Sequence, residues 1–173
     1  VLKVTTDYKA GCAYGTHRVL APKGVLPQAA WKVDNSPEIY DNEILIDVET
    51  LNIDAASFRQ ILSGCDPKFT DTQKEEYVAK AVMDIVADRG KMHNPVTGSG
   101  GMLLGRIKEF GPKVKGNIGD RICTLVSLSL TPLGIKKIKK VHLDTDQIDI
   151  EGHAVIFESG VFSAIPEDLG DKL

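Results

Sequence analysis

The chain has 173 residues and a formal net charge of −3, long enough for one domain with a sizeable hydrophobic interior. Hydrophobic residues at 42% and charged residues at 26% are ordinary for a globular protein, and the slight acidity argues against broad attraction to nucleic acid or an anionic membrane. No apolar run approaches the roughly 20 residues that a bilayer requires, and Val1-Leu2-Lys3 is not expected to open a secretory signal. Cys12, Cys65 and Cys123 form no C-x-x-C pair, so free thiols and a cytoplasmic location are expected.

Glycines and prolines punctuate many short β-like runs, the pattern of a small barrel or sandwich. Ala30–Asp34 and Glu43–Ile53 are the first strand candidates. In the second, Ile44, Ile46 and Val48 alternate with Glu43, Leu45, Asp47 and Glu49, so one apolar face is expected. A short helix follows over Asp54–Ser63, with Asp54 at the N-cap and Gly64 past the end. A longer helix spans about Thr72 to Arg89, with Thr72 and Glu75 spaced as a capping box. Its apolar stripe is Tyr77, Val78, Ala81, Val82, Ile85 and Val86, and Gly90 offers the left-handed C-terminal residue. Gly101–Phe110, Arg121–Val126, Ile138–Leu143, Ala154–Glu158 and Phe162–Ile165 complete the strands. Lys136-Lys137-Ile138-Lys139-Lys140 interleaves one apolar residue and no aromatic, and is read as a solvated strand edge.

Two familiar chemistries fail on spacing. Gly98-Ser99-Gly100-Gly101-Met102-Leu103 has Leu103 where a Rossmann fingerprint needs its third glycine, and it leads into a β-like run instead of a helix. The four histidines, His17, His93, His142 and His153, are scattered without metal-ligand spacing. No metal site and no nucleotide site are expected within these residues.

The run Met102–Gly111, ending in Glu109-Phe110-Gly111, and the later Ile118-Gly119-Asp120-Arg121-Ile122 resemble the GroES-like domain of medium-chain dehydrogenases, where this strand leads to a Gly-Asp-Arg-Val pattern. The segment Glu49–Asp54 resembles the stretch that enters their active site. Asn52 stands where zinc-dependent members place a cysteine, and Gly100-Gly101-Met102 replaces their Gly-His-Glu. Three longer segments, His17–Trp31, Leu51–Phe58 and His93–Met102, with the helical insertion Thr72–Arg89, are similar to the L-erythro-3,5-diaminohexanoate dehydrogenase family of anaerobic lysine fermentation.

That resemblance implies an α+β, mainly β chain: a GroES-like, partly open β-barrel carrying a helical insertion, with no catalytic zinc. It implies NAD-dependent oxidative deamination of a small diamino acid, with NAD held mainly by a Rossmann domain expected beyond Leu173. The fragment alone is then expected to be inactive, and a homo-oligomer is expected. Losing hydride from an amine-bearing carbon requires the amine to be neutral, so a zinc-free site needs a proton acceptor. Asp54 or His93 is the candidate acceptor, with Asn52, Ser57, Arg59, Asn94 and Ser99 as substrate-binding candidates. Among these, Arg59 or Ser99 would hold the substrate carboxylate. Structural roles compete at each position: Asp54 as helix cap, Ser57 as first-turn partner, Arg59 as solvated, His93 and Asn94 as turn residues before Pro95. A zinc-free quinone or enoyl reductase domain and a non-catalytic GroES-like protein-binding module are the rival readings.

Overall fold

A computed structural model describes residues 7–169. The centre of the fold is one antiparallel six-stranded sheet: β3 (Glu43–Ile53), β4 (Gly101–Phe110), β5 (Arg121–Thr124), β6 (Leu133–His142), β7 (Gln147–Phe157) and β8 (Phe162–Ala164). The spatial order is β6-β7-β3-β4-β5-β8. A small ribbon pairs β1 (Val19–Ala21) with β2 (Lys32–Val33). Two helices, α1 (Ala55–Leu62) and α2 (Asp71–Arg89), lie between β3 and β4. The class is α+β with strands dominant, as expected, and the sheet is open: β6 and β8 are its edges, and it does not close into a barrel.

The central strand β3 explains how the fold presents its site. Ile44, Ile46 and Val48 enter the main core, as alternation requires, but so do Leu51 and Ile53. The phase slips because the register shifts between Val48 and Thr50 against both neighbours, β4 and β7. One extra residue at such a bulge moves every later side chain to the opposite face. Without it, Asn52 would point inward and Leu51 outward. The other face of β3 is not solvent-facing throughout, since Leu45 packs with Ile39, Val155 and Phe157 in a second cluster.

Helix α2 packs against β6 through fully buried Val78 and Val82, together with buried Val86. Burying branched residues of this kind contributes roughly 1.5–3 kcal/mol each. Its cap lies two residues earlier than the sequence pattern suggested. Thr70, not Thr72, accepts from the Gln73 N–H, while the Gln73 side chain accepts from the Thr70 N–H. Both pairs have capping-box spacing, so the choice depends on where the preceding turn ends. Tyr77 is 39% exposed and lies outside the buried stripe. Gly90 ends the helix at φ 69°, and a Cβ there would sit 2.1 Å from the Val33 carbonyl oxygen, so glycine is needed for both conformation and space.

The lysine-rich run lies on edge strand β6, as the sequence reading held. Lys136 pairs with Glu151, and Lys140 with Glu75 of α2. No helix among the described residues is long and apolar enough to cross a membrane.

Candidate functional site

Adjacent ends of two paired strands bring the candidate residues together. Strand β3 ends at Ile53, which pairs with Gly101 at the start of β4. The Asp54 N–H then donates to the Gly100 carbonyl. Gly101, at φ 130°, has no room for a side chain: its Cβ would lie 2.0 Å from the Asn52 carbonyl oxygen. The residue after β3 and the loop before β4 are thereby forced into contact. Ser57 and Ser99, 42 positions apart in sequence, have hydroxyl oxygens 2.8 Å apart.

Asp54 is both cap and centre. Its Oδ1 accepts from the Ser57 backbone N–H at 2.9 Å and from the Ser99 hydroxyl at 2.9 Å. Burial pushes the carboxyl upward, but hydrogen bonds from Ser57, Ser99 and the Ala56 N–H outweigh it and hold Asp54 below its ordinary range. It is therefore an anion at neutral pH. Its second oxygen, Oδ2, is buried without any hydrogen-bond partner.

Thr97 completes the cluster, a residue that sequence reasoning missed. Its hydroxyl lies 2.9 Å from Ser57 Oγ and 2.8 Å from Ser99 Oγ. The three hydroxyls thus touch one another pairwise, and Ser99 also donates to Asp54. Each hydroxyl brings one hydrogen. Ser99 spends its own on the carboxylate, so two hydrogens remain for three oxygen–oxygen contacts. When Thr97 turns its hydrogen inward to Ser57 or Ser99, its lone pairs are left open and it can receive a donor.

That result bears on the role expected for Ser99. A carboxylate ligand needs a free donor, and the Ser99 hydrogen is taken by Asp54. Arg59, the other candidate carboxylate partner, is exposed on α1, two positions from buried Ser57. Residues two apart on a helix do not share a face, and Arg59 is not gathered into the cluster. Asn52 is half-buried on β3, opposite Met102 and Gln147, and its strand end is joined to the loop through Gly101.

His93 and Asn94 shape the loop. The Asn94 side-chain oxygen accepts from the N–H groups of Val96 and Thr97, while its amide donates to Gln60 of α1 at 2.9 Å. This tethers the Thr97 turn to the helix. His93 is 9% exposed; its Nε2 lies 3.1 Å from the Gly98 carbonyl, which assigns the ring hydrogen to Nε2. Nδ1 is then a buried lone pair with no partner. Burial, with the neighbouring Lys91 and Arg89 cations, lowers its pKa to about 4, so His93 is neutral at physiological pH.

Lys91 was also missed. It is fully buried, and its Nζ donates to the Pro27 and Ser129 carbonyls at 2.6 and 2.7 Å. Burial and the charge of Arg89 depress its pKa to about 7. Its partner residue Ser129 packs on the loop, since a Cβ at Gly100 would sit 2.8 Å from the Ser129 nitrogen. Lys91 therefore braces the glycine-rich turn from behind.

The glycine-rich turn does not fit the pyrophosphate of a dinucleotide. Gly100 and Gly101 are pressed against their own chain, at Met92, Ser129 and Asn52, and the turn leads into β4 instead of a helix. Among the described residues, no group of three or more His, Cys, Asp or Glu side chains is placed to hold a metal ion. Two larger recesses, of about 470 and 550 Å³, share no residue with the hydroxyl cluster. The first is walled by the Ser36–Tyr40 segment, Tyr8 and Glu109, and the second by parts of β3, β6 and β7.

A mainly β domain with an anionic, acceptor-rich cluster at a strand–helix junction matches relatives that are dehydrogenases by name. Residues 17–166 match the family model described as L-erythro-3,5-diaminohexanoate dehydrogenase N-terminal domain, and the chain belongs to that family. It is 51% identical over 167 residues to the L-erythro-3,5-diaminohexanoate dehydrogenase of Acetoanaerobium sticklandii, covering 94% of this chain and 47% of the relative. It is 50% identical over 169 residues to the enzyme of that name from Fusobacterium nucleatum, covering 95% and 47% respectively. The chain thus spans about half the length of the curated relatives it matches.

Proposed function

We propose that this chain supplies the substrate-binding domain of an NAD-dependent dehydrogenase that removes the 3-amino group of L-erythro-3,5-diaminohexanoate, yielding 5-amino-3-oxohexanoate and ammonia. Family membership supports the substrate class. The observation that carries the reading is the Asp54 carboxylate, anionic and with one buried oxygen unpartnered, set beside a cluster of three hydroxyls that can accept from a donor. A diamino acid presents ammonium groups, which are pure donors. An isolated anion in a partly buried place is costly unless a cation meets it, and a substrate ammonium meets it.

The residues divide as follows. Asp54 anchors an ammonium through Oδ2 and can take a proton from it, while Ser57 and Ser99 hold Oδ1 in place. His93 offers a second acceptor, the Nδ1 lone pair. Both are weak bases at rest, so either would hold a proton only in passing and return it to water. Asn94 and Asn52 position the loop and the strand end. NAD is assigned to the portion of the relatives' length that this chain does not span, and a GroES-like ancestry is part of the same reading.

The test uses the full-length enzyme. Asp54→Asn keeps a good N-cap but removes the charge. Ammonia release from the diamino acid should fall by at least about 100-fold, as expected for losing a charged catalytic contact, with the melting temperature nearly unchanged. Activity within twofold of wild type would overturn the reading.

A further inference from the structure

We infer that Thr97 is a specificity-determining residue that receives one substrate ammonium at the mouth of the cluster; this rests on the amine-binding reading just given. Of the three hydroxyl residues, Ser57 is fully buried, Ser99 is half-buried and Thr97 alone is exposed. Thr97 is the most open of the three to solvent.

Its oxygen has the right chemistry. With the Ser99 hydrogen committed to Asp54, the hydrogens of Ser57 and Thr97 are shared among three mutual contacts. The charge of Asp54 favours the chain Thr97 to Ser99 to Asp54, each hydroxyl donating toward the carboxylate, which leaves the Thr97 lone pairs open on the solvent side. An incoming N–H can donate to them, and the anion at the far end of the chain favours a cation over a carboxylate. Asp54 Oδ2, on the carboxylate that Ser99 meets, also lacks a donor.

Thr97 is held for this task. Its N–H and that of Val96 both go to the Asn94 side-chain oxygen, and the Gly98 N–H goes to the Asn94 carbonyl. Asn94 is itself fixed to Gln60. A preorganised hydroxyl loses less entropy on binding than a side chain on an unrestrained loop.

The experiment compares Thr97→Val, which keeps the branched shape, with Thr97→Ser, which keeps the hydroxyl, both in the full-length enzyme. Thr97→Val should raise KM for the diamino acid roughly 10- to 100-fold, the usual range for a hydrogen bond to a charged group. Its kcat should change less than KM, and Thr97→Ser should restore KM. Inhibition by 3-aminohexanoate and 5-aminohexanoate, each with one amine, sharpens the point. Thr97→Val should weaken one of them and spare the other. An unchanged KM, a rise that Thr97→Ser does not correct, or equal weakening of both inhibitors would each overturn the role. If any of these occurs while Asp54→Asn still abolishes ammonia release, Thr97 is excluded and the amine-binding reading stands. If Asp54→Asn is also silent, that reading fails with it.

Discussion

Two polar clusters lie in this domain, and they are finished to different degrees. In the first, Arg18 and Glu43 are both fully buried. Arg18 reaches both Glu43 oxygens at 2.9 and 2.7 Å and gives its remaining N–H groups to the carbonyls of Asp34, Ser36 and Glu38. Glu43 also accepts from the Tyr40 N–H, and His17 completes its shell at 2.9 Å. In the second, Asp54 has one oxygen satisfied twice and the other not at all. A closed network of charges serves the fold. One left short of donors is the better candidate for binding something else.

Removing Arg18 should produce the largest effect. Arg18→Met leaves Glu43 buried with only His17 and the Tyr40 N–H as partners, and should cost about 3–5 kcal/mol of stability, read by denaturant unfolding. A loss under about 1 kcal/mol would erase the contrast between the clusters.

Acid should reach the two regions in sequence. His93 has a folded pKa of about 4 against an ordinary 6.5. Between these values the folded chain binds fewer protons than the unfolded one, so stability falls as pH drops through that window. Burial raises the Glu43 pKa, but bonds from His17 and Arg18 prevail and hold it below 4.5. Its contribution is full above 4.5 and is lost as pH falls through the lower, folded value. In an acid titration followed by circular dichroism, His93→Gln should flatten the limb between 6.5 and 4 and leave the more acidic limb in place. Loss of both limbs together would mean that the regions titrate as one.

Asp54→Asn should cost less than about 1 kcal/mol, because asparagine caps a helix as well as aspartate does. A loss as large as that of Arg18→Met would make Asp54 a structural charge. Lys140→Ala sets the floor. Its pairing with Glu75 is largely exposed, and its removal should change stability by no more than about 0.5–1 kcal/mol. A larger change would mean that the edge lysines serve the fold beyond shielding β6.

The sequence made β3 and β4 legible to the residue, because each carries closely spaced apolar residues in a run bounded by clear turn signals. It hid the first half of β7. Gln147–His153 carries Asp149, Glu151 and Gly152, and those acids are explained only by partners on other strands: Thr50 and His142 for Asp149, Lys136 for Glu151. The bulge at Thr50 was equally invisible, since it depends on agreement between three strands. At the site, Asp54, Ser57 and Ser99 were reached through motif resemblance. Thr97 was not, because a hydroxyl acquires meaning here only through a contact spanning 40 positions. Lys91 carries no motif in the sequence; only the fold shows its amine enclosed by the carbonyls of Pro27, Gln28 and Ser129.

The contact between Gly101 and the Asn52 carbonyl has a consequence in time. Because the first residue after β3 is bonded to the last residue before β4, the recognition cluster belongs to the middle of the sheet, not to a hinged flap. Opening it would require separating two central strands. The amide hydrogens of Asp54 and Ser57 should therefore exchange with solvent near the slow, global rate, while those at the β6 edge exchange sooner. Exposed Thr97 is thus presented on a rigid base, while any ligand contact with buried Asp54 Oδ2 would need a local shift of the loop before β4 and not separation of the strands.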